Sequence, residues 1–442
     1  MFPHTMFPHT MSPKAAVVAT LVLFSPFALA QSEPDPTPER PWDCAEVPDD
    51  LSETTLYSDF EARQIADSAR LFEPAYVLWS DFSKKRRWLQ LPEGGTIDNA
   101  DQDYWVFPMG TQVWKEFTTT RNPSAPISDG DISVVVETRL MVKCLEYTSD
   151  EAGEEKWEAM SYVWNDDGTN AKRNDGEGAN DVRGTGWEVP SWQQCEGCHR
   201  NDEADMPIGV SAILLNPQAE VSTLTLRQLS EEELLTHPVA EVDLPLLRLP
   251  GTKDEQQAMG YLHVNCGSCH GTKGMMSETA PWMWMETDTL TAQDPRQTSM
   301  WKHLVFDGVE HEGYQNGYIE GDGTFRVLIH PGSPMASYVF QRISVRTRST
   351  EHDDPDSDQY IHPDWTADPL GFGSHGITQM PFYGSRLVDM DYDGISREAT
   401  GQAELQDWIA GIEVDTAVDR MLRSILKAKK KLRRNIDRAL GR

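Results

Sequence analysis

Hydrophobic and polar residues alternate along much of the chain between residues 44 and 190, and aromatic and β-branched residues fill most of the apolar positions. Clusters of Gly, Asn and Asp separate these runs, as is typical of antiparallel strands joined by turns. The runs are Tyr104–Phe107, Gln112–Phe117, Ile132–Val142 and Met160–Trp164. The pattern predicts a β-rich, sandwich-like domain over residues 44–190, with a long polar, Gly-rich loop at 165–186 near its end.

Apolar residues take up helical spacing in the C-terminal half of the chain. Leu224–Leu235 predicts a short helix, and a Pro-rich run follows it. Four further helices are predicted: one that runs into Cys266, one over 298–309, one opened by Pro331–Pro334, and one marked by Leu405, Trp408, Ile409 and Ile412. We therefore expect a multidomain α+β chain. A mostly α-helical domain over residues 251–412 follows the β-rich domain, and residues 191–250 lie between them.

The N-terminus has the features of an export signal. Lys14 precedes an apolar run that ends with Ala-Leu-Ala at Ala30. A basic residue, a short apolar region and small residues at a cleavage site are typical of a signal peptide. The sequence thus predicts a signal peptide over 1–30, cleaved after Ala30, and a periplasmic or secreted protein. The Pro-rich stretch 31–43 predicts a linker. The apolar run is short for a membrane span, and no transmembrane segment is expected elsewhere.

The five-residue motif C-x-x-C-H occurs twice, at Cys195–His199 and at Cys266–His270. This motif attaches c-type haem, because two thiols three positions apart reach the two vinyl groups on one porphyrin edge. The following His supplies an axial nitrogen to the iron. The motifs predict two covalently bound haem c groups, held by Cys195, Cys198, Cys266 and Cys269, with His199 and His270 as axial ligands.

Two other interpretations of paired cysteines fit less well. A zinc ribbon places its two C-x-x-C pairs about 15–20 residues apart. Here the pairs begin 71 residues apart. A thioredoxin-like redox motif needs no His after both pairs, whereas both motifs of this chain carry one.

Electron-transfer haems usually have a second axial ligand, and a Met sulfur raises the reduction potential relative to a second His. Met380, in a Met-Pro pair before the last predicted helix, is the candidate for the second haem, and His375 is the alternative. The first haem has three candidates: Met206, His237 and His263. An iron with no sixth ligand is the remaining alternative for that haem.

Cys44 and Cys144 are the cysteines outside the haem motifs. Two cysteines in an exported domain predict a disulfide bond. Such a bond closes a loop of about 100 residues and contributes several kcal/mol to stability.

The order of several features resembles a known class of domain. Gly260-Tyr261, the second C-x-x-C-H motif, Pro331–Pro334, Met380-Pro381 and Trp408 follow one another as in a small single-haem cytochrome c domain of the secreted bacterial type. The resemblance implies that the first and last helices cross, with a Gly/aromatic pair against an aromatic residue. It also implies that Met380 occupies the position of the sixth ligand.

The upstream part resembles the secreted bacterial di-haem c-type cytochrome family, in which a β-rich domain precedes a cytochrome c domain. Four segments carry this resemblance: Phe107–Thr111, Glu137–Leu140, Tyr162–Asn165 and Pro190–His199. The two resemblances together cover about residues 50–412. The β-rich part indicates a family but no chemistry.

The formal net charge of −32 argues against a nucleic-acid partner and favours a redox partner protein with a basic docking surface. Residues 413–442 break this pattern, with ten Lys or Arg against four Asp or Glu. Apolar residues at helical spacing predict a basic amphipathic helix there. It could contact a membrane surface, a partner or the acidic body of the protein. Asp389–Gly394 matches the first half of a calcium-binding EF-hand loop, but Thr400 stands where the loop requires Glu.

Three functions are compatible with these features. The first is an exported di-haem cytochrome that carries electrons between redox partners. The second is a peroxidase-like di-haem enzyme with an open first haem. The third is a binding module whose β-rich domain recognises a partner and whose cytochrome is its electron outlet. No Ser-His-Asp set, P-loop or nucleotide fingerprint supports another class of enzyme.

Overall fold

The computed structural model of the chain describes residues 42–81, 83–120, 133–147, 153–174, 176–199, 207–274, 276–277, 282–306, 317–319, 325–344 and 401–412. All of these residues belong to one compact unit. The predicted signal peptide, most of the linker, the acidic loop at 389–394 and the basic tail at 413–442 lie outside the described residues.

The strands are numbered here in chain order. They are β1 (Tyr57–Asp59), β2 (Gln64–Ile65), β3 (Arg70–Phe72), β4 (Lys84–Gln90), β5 (Gln112–Thr120), β6 (Ser133–Glu146), β7 (Glu154–Trp164), β8 (Ala171–Arg173), β9 (Ala179–Val182), β10 (Trp187–Val189), β11 (Gly317–Ile319) and β12 (Phe325–Val327). Strands β3 to β8 form one six-stranded sheet in sequence order. All of its neighbouring strands are antiparallel. The predicted β-rich N-terminal region with antiparallel sheets is thus confirmed.

Two local predictions in this region are wrong. The stretch 165–186 is not one long loop, because β8 and β9 lie within it. A turn closed by the Asn165 amide and the Asn170 carbonyl, 3.0 Å apart, returns the chain to pair with β7. Conversely, Tyr104–Phe107 is not a strand, because only Val106 pairs with another segment, through a single bridge to Asp98.

The two faces of the six-stranded sheet pack against different partners. One face carries Trp88, Trp114, Leu140 and Tyr162, which form a core with the segment around Leu51. The opposite face carries Leu89 and Met141 and packs against apolar residues of the segment 207–249. This segment takes the place that a second large sheet would have in a sandwich. Among the described residues, the other sheets are two-stranded.

The described helices are α1 (Trp192–His199), α2 (Leu226–Glu231), α3 (Lys253–Cys266), α4 (Ser299–Leu304), α5 (Tyr338–Ile343) and α6 (Gly401–Gly411). Thr252 and Glu255 form a capping box that begins α3. Helix α4 is shorter than its prediction, because Val305 turns to extended backbone and bridges to Ile329. No described helix has the length and apolar content needed to cross a membrane.

Helices α3 to α6 share a hydrophobic core that is separate from the two cores of the sheet. Its buried residues include Met259, Leu262, Trp301, Phe340 and Trp408. Helix α3 packs against α6. The residue that lies over Gly260 is Tyr76, however, and not an aromatic residue of α6 as the resemblance to cytochrome c domains implies. The described residues between these helices include 3₁₀ turns, irregular segments and the β11–β12 pair, so the prediction of a mostly α-helical domain is not confirmed.

The β-rich part and α3 meet at a glycine. The ring of Tyr76, which follows β3, lies directly over Gly260, and a methyl group at Gly260 would overlap that ring. Tyr76 is 7% exposed and belongs to the core of the helices. The Asn265 side chain adds two hydrogen bonds to the same segment, to the Val77 carbonyl and from the Trp79 amide, both at 2.8 Å.

Substitution Gly260→Ala should therefore destabilise the protein by about 1–3 kcal/mol, because the added methyl overpacks this contact. Urea unfolding followed by tryptophan fluorescence measures the loss. Gly411→Ala is the matched control, because a methyl there meets nothing within 4 Å. An alanine in open helical surroundings stabilises by about 0.5–1 kcal/mol. Equal effects of the two substitutions would contradict the role given to Tyr76.

The predicted disulfide bond between Cys44 and Cys144 is present. Cys44 lies in a 3₁₀ turn, and Cys144 is buried in β6. The bond joins residues that are 100 positions apart. The Leu145 amide also donates to the Trp42 carbonyl at 2.8 Å. The start of the described chain is thus fastened to the centre of the sheet.

Replacing both residues, as in Cys44→Ala with Cys144→Ala, should lower the free energy of unfolding by about 2–5 kcal/mol, because the unfolded chain loses its cross-link. The measurement is the urea midpoint of the variant and of the wild type. Reductant should lower the wild-type midpoint and leave that of the double variant unchanged. An equal response of both proteins to reductant would show that this disulfide bond is not the source of the stabilisation.

Candidate functional site

The first C-x-x-C-H motif lies on helix α1. The Trp192 amide at its start donates to the Gly176 carbonyl at 3.0 Å. Gly176 has φ of +80°, and a side chain there would strike the Trp192 side chain. Residues three and four positions apart share one face of a helix, so Cys195, Cys198 and His199 lie on the same side of α1.

The second motif begins at the last residue of α3. The Cys269 and His270 amides both donate to the Cys266 carbonyl, at 3.2 Å and 2.8 Å, so the helical turn continues past the end of α3. The His270 carbonyl accepts from the Met283 and Trp284 amides, at 2.5 Å and 3.2 Å. Each motif therefore presents two thiols and one imidazole on a single turn.

The fold brings the two motifs into contact. The thiol of Cys198 donates a hydrogen bond to the sulfur of Cys269, which raises the pKa of Cys198 and lowers the pKa of Cys269. Burial raises the pKa of Cys195, and it raises the pKa of Cys266 to about 12. All four cysteines are outside any disulfide bond.

The composition of the two motifs fits covalent haem. Both offer two thiols for thioether bonds and one imidazole for the iron, which is what the attachment of c-type haem requires. Among the described residues, no group of three or more His, Cys, Asp or Glu side chains is arranged to hold a metal ion. Haem does not need such a group, because the porphyrin surrounds the iron and the protein supplies only axial ligands.

Buried aromatic and imidazole rings surround the second motif. The His263 ring lies 4.6 Å from that of Trp284, and its Nδ1 accepts from the Met285 amide at 3.1 Å. Its Nε2 is buried and has no hydrogen-bond partner among the described residues. Burial lowers the pKa of His263 to about 4, so this ring is neutral at physiological pH. The Nε2 atom of His263 is therefore a nitrogen that a metal could use.

A loop of the β-rich part packs against the segment that follows the second motif. Asp103 accepts from the backbone amide and the hydroxyl of Thr287, at 3.1 Å. Tyr104 stacks on Trp284 with ring centroids 5.3 Å apart, and its hydroxyl is 3.1 Å from that of Thr272. These contacts hold both ends of the segment 272–287 against the β-rich part.

A cavity of about 140 Å³ lies beside the first motif. Cys195, Cys198 and His199 line one side of it. The cavity is also lined by the face of the six-stranded sheet that carries Leu89 and Met141, called the inner face here. Arg87, Lys115 and Arg139 stand side by side on this face. No pattern in the sequence predicted that these three cations lie together. The available signal was Lys115, which stands between Val113 and Phe117 at a position where strand alternation calls for an apolar residue.

The structure describes only some of the candidates for a sixth iron ligand. His237 has a side chain that is 64% exposed, and it contacts Thr236 and Asp98 rather than either motif. Met206, His375 and Met380 lie outside the described residues. The sixth ligands of the two predicted haems therefore stay predictions.

Comparisons with known proteins returned no relative from which a function could be transferred. No protein family, no curated protein and no solved structure matches the chain.

The carboxyl group of Asp103 should make stability depend on pH. Burial raises its pKa from 3.8 to about 7. Because the folded pKa lies above the unfolded one, the stabilisation is complete below pH 4 and is lost as the pH rises through 7. At pH 8 the loss reaches at most about 4 kcal/mol, since one pKa unit corresponds to about 1.4 kcal/mol.

Asp103→Asn retains an oxygen acceptor for Thr287 but cannot ionise. We expect its urea midpoint to exceed that of the wild type at pH 8 and to change less between pH 5 and pH 8. Asp407→Asn is the control, because it removes the same charge from an exposed position on α6. If both variants follow the wild-type pH profile, Asp103 is not the titrating group.

Proposed function

We propose that this chain is an exported di-haem c-type cytochrome that carries electrons between redox partners. One haem would be attached at each C-x-x-C-H motif. The observation that carries the proposal is the contact between Cys198 and Cys269, which joins two motifs that are 71 residues apart in sequence. Cofactors attached at adjoining thiols lie near each other, as transfer between them requires.

The residues of the motifs have distinct roles in this proposal. Cys195, Cys198, Cys266 and Cys269 form the thioether bonds, and His199 and His270 each hold an iron through one imidazole nitrogen. Haem iron supplies a one-electron couple whose potential depends on axial ligands, burial and nearby hydrogen bonds. The amides of Met283 and Trp284, bound to the His270 carbonyl, fix the turn that carries this imidazole.

The proposal extends to the segments around the motifs. Helices α3 and α6, packed over a common core, would belong to a cytochrome c domain in which Met380 completes the second iron. Met206 is proposed for the first iron. The disulfide bond supports export through the signal peptide 1–30, because such bonds persist in oxidising compartments. The net charge of −32 supports a redox partner with a basic surface.

A peroxidase-like di-haem enzyme is the second candidate. The observation that favours it is the cavity beside His199, which leaves space next to the first motif. In this alternative the first iron keeps an open position for peroxide, and the second haem supplies electrons. The two candidates differ in the coordination of one iron.

The experiment is to express the full chain in a bacterium that attaches haem c and to count haem by the pyridine haemochrome assay. Wild type should carry two haems per chain. Cys195→Ala with Cys198→Ala, and Cys266→Ala with Cys269→Ala, should each retain one. The control is Cys44→Ala with Cys144→Ala, which removes two cysteines and should retain both haems. A wild-type protein without covalent haem would disprove the proposal.

Carbon monoxide then separates the two candidates, because it binds ferrous haem that has an open axial position. If the spectrum of the reduced protein is unchanged by the gas, both irons have six ligands and electron transfer is supported. If one haem binds the gas, the peroxidase-like alternative is supported, and peroxide turnover should follow.

A further inference from the structure

Three basic side chains form a row across the inner face of the sheet. Arg87 on β4 is paired with Lys115 on β5, and Lys115 is paired with Arg139 on β6. Neighbouring strands lie about 4.8 Å apart, so the backbone of the row spans about 10 Å. All three side chains line the cavity beside the first motif. Cys195, Cys198 and His199 line the same cavity.

Apolar residues flank the row on both sides. Strand alternation places Leu89 and Met141 on one side of it, where they belong to one core cluster. Phe117 lies on the other side and belongs to another cluster. Arg87 is 7% exposed. A cation in such surroundings costs free energy unless an anion or hydrogen bonds compensate it.

One of the three cations is compensated within the chain. Arg139 donates to both carboxylate oxygens of Glu137, at 2.6 Å and 2.9 Å. The Ser161 hydroxyl and the Trp187 indole also donate to this carboxylate, at 2.7 Å and 3.0 Å. Glu137 is fully buried and forms its ion pair with Arg139, while its charge also acts on Lys115 from a longer distance.

The other two cations have no anion. Among the described residues, neither Arg87 nor Lys115 has a carboxylate within ion-pair distance, and no Asp or Glu lines the cavity. The Arg87 Nε is buried without a hydrogen-bond partner. The Lys115 ammonium lies 4.8 Å from the Phe117 ring centroid. Burial lowers the pKa of Arg87 to about 10, and burial beside Arg87 and Arg139 lowers that of Lys115. Arg87 and Lys115 thus lack a direct carboxylate partner among the described residues, and the charges of Glu73 and Glu137 act on them only from a longer distance.

We propose that Arg87 and Lys115 form a binding site for two carboxylates, and that these are the propionates of the haem attached at Cys195 and Cys198. This inference rests on the proposed function. A haem carries two propionates, which matches the two unpaired cations. Guanidinium and ammonium groups form strong charge-assisted hydrogen bonds with carboxylates. Arg87 and Lys115 line the same cavity as Cys195 and Cys198, so a group attached at these thiols lies beside both cations.

The test is the midpoint potential of each haem in Lys115→Met and Arg87→Met holoprotein, measured by spectroelectrochemical titration. Loss of a positive charge beside a haem disfavours its ferrous form. We expect one of the two redox waves to shift to lower potential and the other to stay in place. Both variants should fold, because replacing a buried unpaired charge with an apolar side chain is neutral or stabilising.

Lys143→Met is the matched control. Lys143 lies on the same face of β6, four residues or about 13 Å beyond Arg139, and its ammonium is paired with Glu155 at 3.2 Å. It should leave both waves in place. Two haems per chain with unmoved waves in Lys115→Met and Arg87→Met would overturn this inference and leave the proposed function intact. Absence of covalent haem from the wild type would overturn both.

A soluble dicarboxylate is the other source of the same chemistry. Thermal unfolding of holoprotein with and without succinate distinguishes the two. If propionates fill the site, succinate should leave the wild-type melting temperature unchanged. If succinate stabilises the wild type but not Lys115→Met, the site is open to soluble anions, and the assignment to propionates is overturned.

Discussion

The alternation of side chains along β4 to β7 is the constraint on which the rest of the structure depends. Successive residues of a strand face opposite sides, so one register decides the contents of both faces at once. Trp88 and Trp114 face the segment around Leu51. Arg87 and Lys115, one position earlier or later, face the cavity at the first motif. A slip of one residue would exchange these two sets, and it would place aromatic rings in the cavity and cations in the core.

The helical region depends on this sheet for its position. Tyr76, which leaves β3, fits the space that Gly260 leaves open on α3. Asp103 and Tyr104 bind the segment that returns along the second motif. These contacts explain how the first motif, on α1, and the second motif, at the end of α3, come to lie next to each other. The first motif lies beside the inner face of the sheet. The loop with Asp103 and Tyr104 holds the segment that follows the second motif against the β-rich part.

The sequence was informative where a pattern is local. Helix α3, helix α6 with its apolar spacing, and strands β5 to β7 all follow from periodicity and turn residues. The disulfide bond followed from counting cysteines. Strands β8 and β9 were missed, because they are only three and four residues long and contain too few apolar residues to show alternation. A covering segment in place of a second sheet was missed for a different reason: it depends on contacts between residues more than 100 positions apart.

The functional site likewise contains residues that could be predicted from the sequence and residues that only the fold brings together. The motif cysteines and histidines are visible as spacing. Arg87, Lys115 and Arg139 become a row only when three strands pair, and their register cannot be read from any one strand. The contact between the two motifs also has no local signature.

The contact between Cys198 and Cys269 has a consequence for how the protein matures. The lowered pKa of Cys269 increases its thiolate fraction, and the thiolate is the reactive form of cysteine. In an oxidising compartment this pair is the one best placed to form an unwanted cross-link, which would remove a thiol from each motif at once. The bond between Cys44 and Cys144, in contrast, forms only by oxidation of the two thiols. Under the proposed function, maturation therefore requires opposite redox treatment of cysteines in one chain, and the motif thiols must be kept reduced until haem is attached.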